Sequence, residues 1–311
     1  MTSINTNVAA MTALKSLQMT NASLEKTQNA ISTGYSVSNS KDNAAYWSIA
    51  TTMRSDNKAL GTVQDALGLG SAKLDTAYTG MNAAIDVVDE IKTKLVAARE
   101  PGVDRSKIQS EISELQNQLT SIADSASFSG ENWLKFDEGT IGSTKTLVAS
   151  FNRSAAGAVS VDTISINIGN IKLFDNNSTP AKDGLLDTEF TTTASGGGGS
   201  AITTTVATLS ISAATVTNVD IDDMISQVDT ALKNMTTAAS NIGSAQKRVD
   251  LQNDFVGNLM DAIDRGIGQL VDADMSEEST KLQALQTQQQ LGIQALSIAN
   301  SSSQNILSLF R

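Results

Sequence analysis

Apolar residues recurring in alternating steps of three and four constrain this chain more than any other feature. The longest run reads Leu60, Val63, Leu67, Gly70, Leu74, Ala77, Met81, Ala84, Val88, Ile91, Leu95, Ala98. A comparable run extends from Ile221 through Ile225, Val228, Leu232 and Met235 to Ile267 and Leu270, with Gln246 and Asn253 at two of its positions. Shorter runs occupy Ala10, Leu14, Leu17, Asn21, Leu24, Gln28, Ile31 and Ile108, Ile112, Leu115, Leu119, Ile122, Ala126. Heptad spacing held over many turns is the mark of helices packed side by side in a coiled coil or bundle. At about 1.5 Å per residue, a helix from Ala44 to Arg99 extends about 80 Å, the dimension of a rod. Pro101 and Gly102 end it, because proline disfavours helical geometry at Glu100. Asp104 then caps a third helix, forming a hairpin. The four polar heptad positions, Asn21, Gln28, Gln246 and Asn253, read equally well as register-fixing amides or as simple tolerance.

The middle, from about Phe128 to Asp220, changes character. Charges thin out and Thr, Ser and Gly rise. Val159 and Val161, then Ile164, Ile166 and Ile168, then Ile171 and Leu173 alternate with period two, as do residues from Val206 to Ile211, so both stretches read as short strands. Gly196–Gly199 reads as an exposed loop. It lacks the Lys-Ser/Thr and the strand-to-helix context of a phosphate loop. The expected fold is therefore mainly α: a long coiled-coil-like helical rod built from both chain ends, with a small β-rich insert at its outer end.

Composition removes several functions. Acidic residues outnumber basic ones 33 to 22, for a net charge of -11, which disfavours nucleic acid and anionic membrane surfaces. With no Cys and no His, thiolate sites, imidazole bases and the Ser-His-Asp triad are impossible. The carboxylate pairs Asp222/Asp223, Asp272/Asp274 and Glu277/Glu278 are poor dyads, since neighbours in a helix do not face each other; Asp222 and Asp223 fit a helix N-terminus better. No enzyme activity, cofactor or metal is expected. The N-terminus shows no basic-then-apolar leader, and no stretch reaches a membrane-spanning length, so neither a secretory signal nor membrane insertion is expected.

The C-terminal segment is the most unusual. Between Lys281 and Arg311 no residue is charged, and fifteen of the twenty-nine are Gln, Asn, Ser or Thr. Leu282, Leu285, Leu296, Ile306 and Phe310 still keep helical spacing. Gly292, Ala295 and Ala299 permit close approach between helices, and amides can bond across such a contact. One such helix cannot cover all its faces within a single chain. Many copies around an axis can. The N-terminal helix has the same style, with no charge before Lys15. Both termini are thus expected in a polymer core, with Val8, Leu14, Leu17, Leu296, Ile306, Leu307 and Phe310 as packing contacts.

The two ends carry a family resemblance. "MTSINTNVAAMTALKSLQMTNASLEKTQNAISTGYSVSNSKDNAAYWSIATTMRSD" and "DADMSEESTKLQALQTQQQLGIQALSIANSSSQNILSLFR" resemble the terminal signatures of bacterial flagellins, and "DNAAYWSIAT" resembles those of soil α-proteobacteria. The resemblance implies inner-core helices over 1–33 and 282–311, spokes over 34–45 and 271–281, outer rod helices over 46–127 and 221–270, and the insert over 128–220. It implies a filament subunit that transmits motor torque. Such a subunit is a homopolymer or co-polymer with other flagellins. It is exported without a cleaved signal peptide to the extracellular filament, and a chaperone, a filament cap and hook-junction proteins are its partners. A hook–filament junction protein and a secreted coiled-coil translocator or adhesin are the competing readings. Ser32, Thr33, Gly34, Lys41 and Asp42 match the segment that plant immune receptors read, whereas Tyr35, Ser36, Asn43, Tyr46 and Trp47 depart from it. The pattern read by the vertebrate Toll-like receptor has Arg where Glu90 stands and Leu where Lys94 stands, while Glu111 matches. Those departures make the segment a poor expected ligand for the plant receptor, and weak activation of the vertebrate receptor is expected because an acidic residue in place of a basic one reverses its pairing.

Overall fold

The three/four runs become five helices in the computed structural model, which describes residues 7–137, 139, 142–176, 183–193, 201–213 and 215–308, with side chains through Ser301. They are α1 (Val8–Thr33), α2 (Ala44–Ala98), α3 (Arg105–Ser125), α4 (Asn218–Val271) and α5 (Met275–Ser308). The chain divides into two compact units, one of Met1–Lys58 with Leu259–Arg311 and one of Ala59–Asn258, and α2 and α4 contribute to both.

In the unit Ala59–Asn258, all twelve positions of the Leu60–Ala98 run are buried. They pack with Ile108, Ile112 and Leu119 of α3 and Ile221, Val228, Met235, Ile242 and Val249 of α4. Removing this much apolar surface from water is the main term that stabilises the unit. α2 and α4 run antiparallel, as three ties show: Arg99 to Asp222 at 2.7 Å, Lys92 to Asp229 at 2.5 Å, and Gln246 to Asp75. Each step up α2 is matched by an equal step down α4. Asp104 caps α3 by accepting from the Ser106 N–H at 3.0 Å. Gly80 on α2 allows close approach, since a Cβ there would lie 2.8 Å from Leu134 Cδ1 and 2.9 Å from Ala126 Cβ.

The insert is a set of two-stranded pairs, not one sheet: β1 (Ser127–Phe128) with β2 (Glu131–Asn132), β3 (Lys135–Phe136) parallel with β6 (Phe174–Asp175), β4 (Thr144–Arg153) antiparallel with β5 (Val159–Asn167), and β7 (Phe190–Thr191) with β8 (Thr203–Thr204). Ile164, Ile166 and Ile168 face inward as their alternation predicts. Residues 206–211 are not a strand. Val206, Leu209 and Ile211 are buried, but the Gln116 amide donates to the carbonyls of Val206 and Leu209, and Gln109 Oε1 accepts from the Ile211 N–H at 2.7 Å. Side chains of α3 thus satisfy this backbone where a neighbouring strand was expected. β4 was not legible at all. Lys172 is fully buried, paired with Asp175 at 2.8 Å, its ammonium 5.4 Å from the Phe136 ring centroid. Asp222 and Asp223 do not lead α4 as expected. Asp220 does, accepting from the Thr217 N–H at 2.8 Å and the Thr192 hydroxyl at 2.7 Å, and these hydrogen bonds lower its pKa, the Thr192 hydroxyl most.

In the other unit, α1 and α5 pack antiparallel. Asn7 donates to the Ala299 carbonyl at 2.9 Å, Leu17 sits 3.2 Å from where a Gly292 Cβ would be, and Gln289 donates to Asn21 Oδ1 at 2.8 Å. Gly34, with φ 76°, turns the chain out of α1. Its carbonyl accepts from the Ala273 N–H at 2.9 Å, and the Ser36 N–H donates to the Val271 carbonyl at 2.8 Å, so the segments after α1 and after α4 pair through their backbones. Ala50, Ile267 and Val271 form a small core with Val37 and Met53 packed against it.

Candidate functional site

The α1/α5 pair is where the sequence and the structure part most usefully. The seam of α1 is not Leu14, Asn21 and Gln28. Those three are exposed, while Ala13, Thr20 and Thr27 are the half-buried or buried positions that alternate with Ala10, Leu17, Leu24 and Ile31. The facing seam of α5 is Leu282, Leu285, Gln289, Gly292, Leu296 and Ala299. Small residues win these seam positions because two helix backbones can then approach closely. Leucines, Ile31 and Gln289 fill the rest of the seam, and the large apolar side chains that fall off it stay exposed.

The result is a helix pair with apolar side chains on faces that none of the described residues covers. On α1 these are Val8, Met11, Leu14 and Met19, Leu14 being 45% exposed; on α5 they are Leu291, Ile293 and Ile298, the last 68% exposed. Of the packing residues named from the sequence, Val8 and Leu14 stand on this open surface, and Leu17 and Leu296 are half-buried in the seam. Phe310 and the Gly196–Gly199 run lie outside the described residues, as do the side chains of Ile306 and Leu307. Met11, Met19, Leu291, Ile293 and Ile298 were missed. Their signal was available: large apolar residues that lie off the heptad stripe of helices poor in charge.

The segment after α1 is held by local hydrogen bonds. Asp42 accepts from the backbone N–H groups of Ser38 and Asn39, both at 3.2 Å, and the Asn39 N–H foremost lowers its pKa. Lys26 stands 3.6 Å from the same carboxylate. Ser32, Thr33, Lys41 and Asp42 are exposed and Gly34 half-buried. In the unit Ala59–Asn258, Lys94 meets Glu111 at 2.7 Å, and that hydrogen bond raises the lysine pKa, with exposed Glu90 adding attraction. Among the described residues, no cluster of carboxylates suits a metal ion, and no helix is long and apolar enough to cross a membrane.

A chain with a self-sufficient helical bundle and a terminal helix pair left apolar on its outside is a subunit of a polymer. Residues 4–137 match the bacterial flagellin N-terminal helical region, and residues 225–310 match the bacterial flagellin C-terminal helical region. Flagellin C of Rhizobium meliloti (strain 1021) is 53% identical over 100% of both chains, Flagellin A of Rhizobium meliloti 46% over 100% of both, and a flagellin of Brucella melitensis 46% over 100% of both. A crystal structure of Bacillus cereus flagellin is similar over 63% of this chain and 88% of that one, at 16% identity and a TM-score of 0.39. The chain belongs to the bacterial flagellin family. It is a structural subunit that polymerises into the extracellular flagellar filament and transmits motor torque for swimming, and the junction-protein and translocator readings are not favoured.

Proposed function

We propose that the open apolar faces of α1 and α5 are the contacts through which copies of this subunit stack. The observation that carries this is the exposure of Leu14, Leu291 and Ile298 on helix segments that bear no charge. Burying such side chains contributes about 1.5–3 kcal/mol each, which accumulates over a lattice of copies. Ile306, Leu307 and Phe310 extend the same contacts in this reading. Leu17 and Leu296 act one step back, by holding the pair together.

The test is electron microscopy of the purified chain after adding a precipitating salt or filament seeds, beside a version lacking residues 282–311. Long uniform tubes from the full chain and none from the truncation are expected. Soluble monomers from both would sink the proposal.

The finer expectations rest on the family resemblance. They are export without a cleaved signal peptide, a chaperone on the C-terminal helix, and a filament cap and hook-junction proteins as partners. Catalysis has no part in this reading. Weak response of the vertebrate receptor has structural support: Glu111 is already paired with Lys94, and Glu90 is exposed with the wrong charge. Glu90→Arg combined with Lys94→Leu is expected to raise a reporter-cell response at least tenfold. An unchanged response, or a parent chain already as potent as an enteric flagellin, would contradict it. Weak response of the plant receptor is expected from Tyr35, Tyr46 and Trp47, and an oxidative burst in leaves given the synthetic Asn29–Ala50 segment would contradict that.

A further inference from the structure

A second apolar surface lies in the same unit as the α1/α5 pair, at the start of α2. Tyr46, Trp47 and Ile49 stand within one helical turn and are all exposed. They are not scattered surface apolar residues of the ordinary kind. Aromatic residues make up 4% of the chain, and its Tyr and Trp number five in all. Two of those five are neighbours here.

The geometry explains why Tyr46, which leads this turn, is exposed. Tyr46, Ala50 and Met53 lie on one helical stripe. Ala50 is buried against Ile267 and Val271 of α4, and Met53 packs beside them. Further along, Asn57 donates to Asp264. The two helices are antiparallel here, so a residue one turn before Ala50 needs a partner one turn beyond Val271. α4 ends at Val271. The stripe therefore runs past the end of its partner. Met275, the first residue of α5, is itself exposed and leaves Tyr46 open.

We propose that Tyr46 and Trp47 dock against a second copy of this chain, as part of the subunit contact in the filament. This rests on the assembly reading above. A second copy is the occupant because the subunit's function surrounds each copy with others, and because this surface belongs to the same unit as the open faces of α1 and α5. Tyr and Trp are the residues that contribute most at buried contacts, since they cover large apolar area with few rotatable bonds while a polar edge finds a hydrogen bond.

The chain carries its own reporter. Trp47 is 37% exposed and Trp133, the other tryptophan, is 3% exposed. Iodide is expected to quench the first in the free subunit and not the second. Seeded filaments of the intact chain, and of a Trp133→Phe variant in which Trp47 is the sole tryptophan, are compared with their monomers. Expected are a blue shift of the Trp47 emission and a fall of at least threefold in iodide quenching on assembly. A Tyr46→Ser/Trp47→Ser double variant is expected to keep its helical content and Tm while seed elongation slows at least tenfold. Filaments in which Trp47 remains as quenchable as in the monomer, or a double variant that elongates normally, would overturn the contact and leave the α1/α5 reading standing. No filament from the intact chain sinks the assembly reading first, and this contact with it.

Discussion

Two parts of this subunit use the same heptad grammar to different ends. In the Ala59–Asn258 unit the apolar positions of α2 meet α3 and α4 and disappear from solvent; Leu67, Leu74 and Met81 are 0% exposed. Among the described residues of the α1/α5 pair, Thr27 and Ala30 of α1 alone are buried, and the described seam is otherwise half-open. The first region is finished by folding. The second is left half-open by folding, and in the assembly proposed above other copies complete it. Stability and assembly should therefore separate under mutation.

Changes that sharpen this contrast rank by their effect on the isolated chain. Leu74→Ala is expected to cost about 2–5 kcal/mol in a denaturant titration, because it opens a cavity in a closed core. Gly80→Ala comes next. Its helix propensity favours alanine by about 1 kcal/mol, but the new Cβ meets Ala126 Cβ, which cannot rotate away, and overpacking of this kind costs about 1–3 kcal/mol. A net loss of stability is expected, and a gain would show that α3 shifts freely. Leu296→Asp puts a charge in the half-open α1/α5 seam, so hydrogen exchange in α1 should speed up while protection at Leu74 is unchanged. Leu14→Asp should shift monomer stability by no more than about 0.5 kcal/mol, as surface changes do, yet abolish seeded assembly. Normal filaments from Leu14→Asp would erase the contrast.

The smallest effect is electrostatic. Hydrogen bonds from Lys233 and then Lys92 lower the Asp229 pKa from 3.8 to about 2. A carboxylate depressed in the folded chain stabilises it above the unfolded pKa and loses that contribution as pH falls through the folded value. The difference between wild type and Asp229→Asn should thus be constant above about pH 4 and vanish toward pH 2. An NMR titration of the Asp229 carboxyl checks the midpoint. Lys233 is exposed and Asp229 and Lys92 are only half-buried, so solvent screens these contacts and the effect on stability is small.

The contrast also explains what the sequence disclosed. The α2 run was legible because large apolar residues and burial coincide there. The same pattern failed where packing prefers small side chains: Leu14, Asn21 and Gln28 gave way to Ala13, Thr20 and Thr27, and Leu232 is half-buried beside buried Ala231. Hydrophobicity alone ranks leucine above alanine, but close backbone approach reverses the order. The 206–211 segment was misread because its alternation reflects docking on Gln109 and Gln116, and no sequence pattern announces a glutamine acting as a strand. The α1/α5 surface was half visible. Absence of charge marked the helices, but which faces stayed open depended on a seam register that only coordinates supply.

The Asn7–Ala299 hydrogen bond joins residues 292 positions apart, and Gln289–Asn21 spans 268. Such contacts form late, since loop closure must precede them. A chain released end-first, from a ribosome or through any narrow passage, keeps α1 waiting for its partner until nearly the last residue is out. The subunit's sticky surface is thus clocked by its own length: it matures only when synthesis or transit is complete.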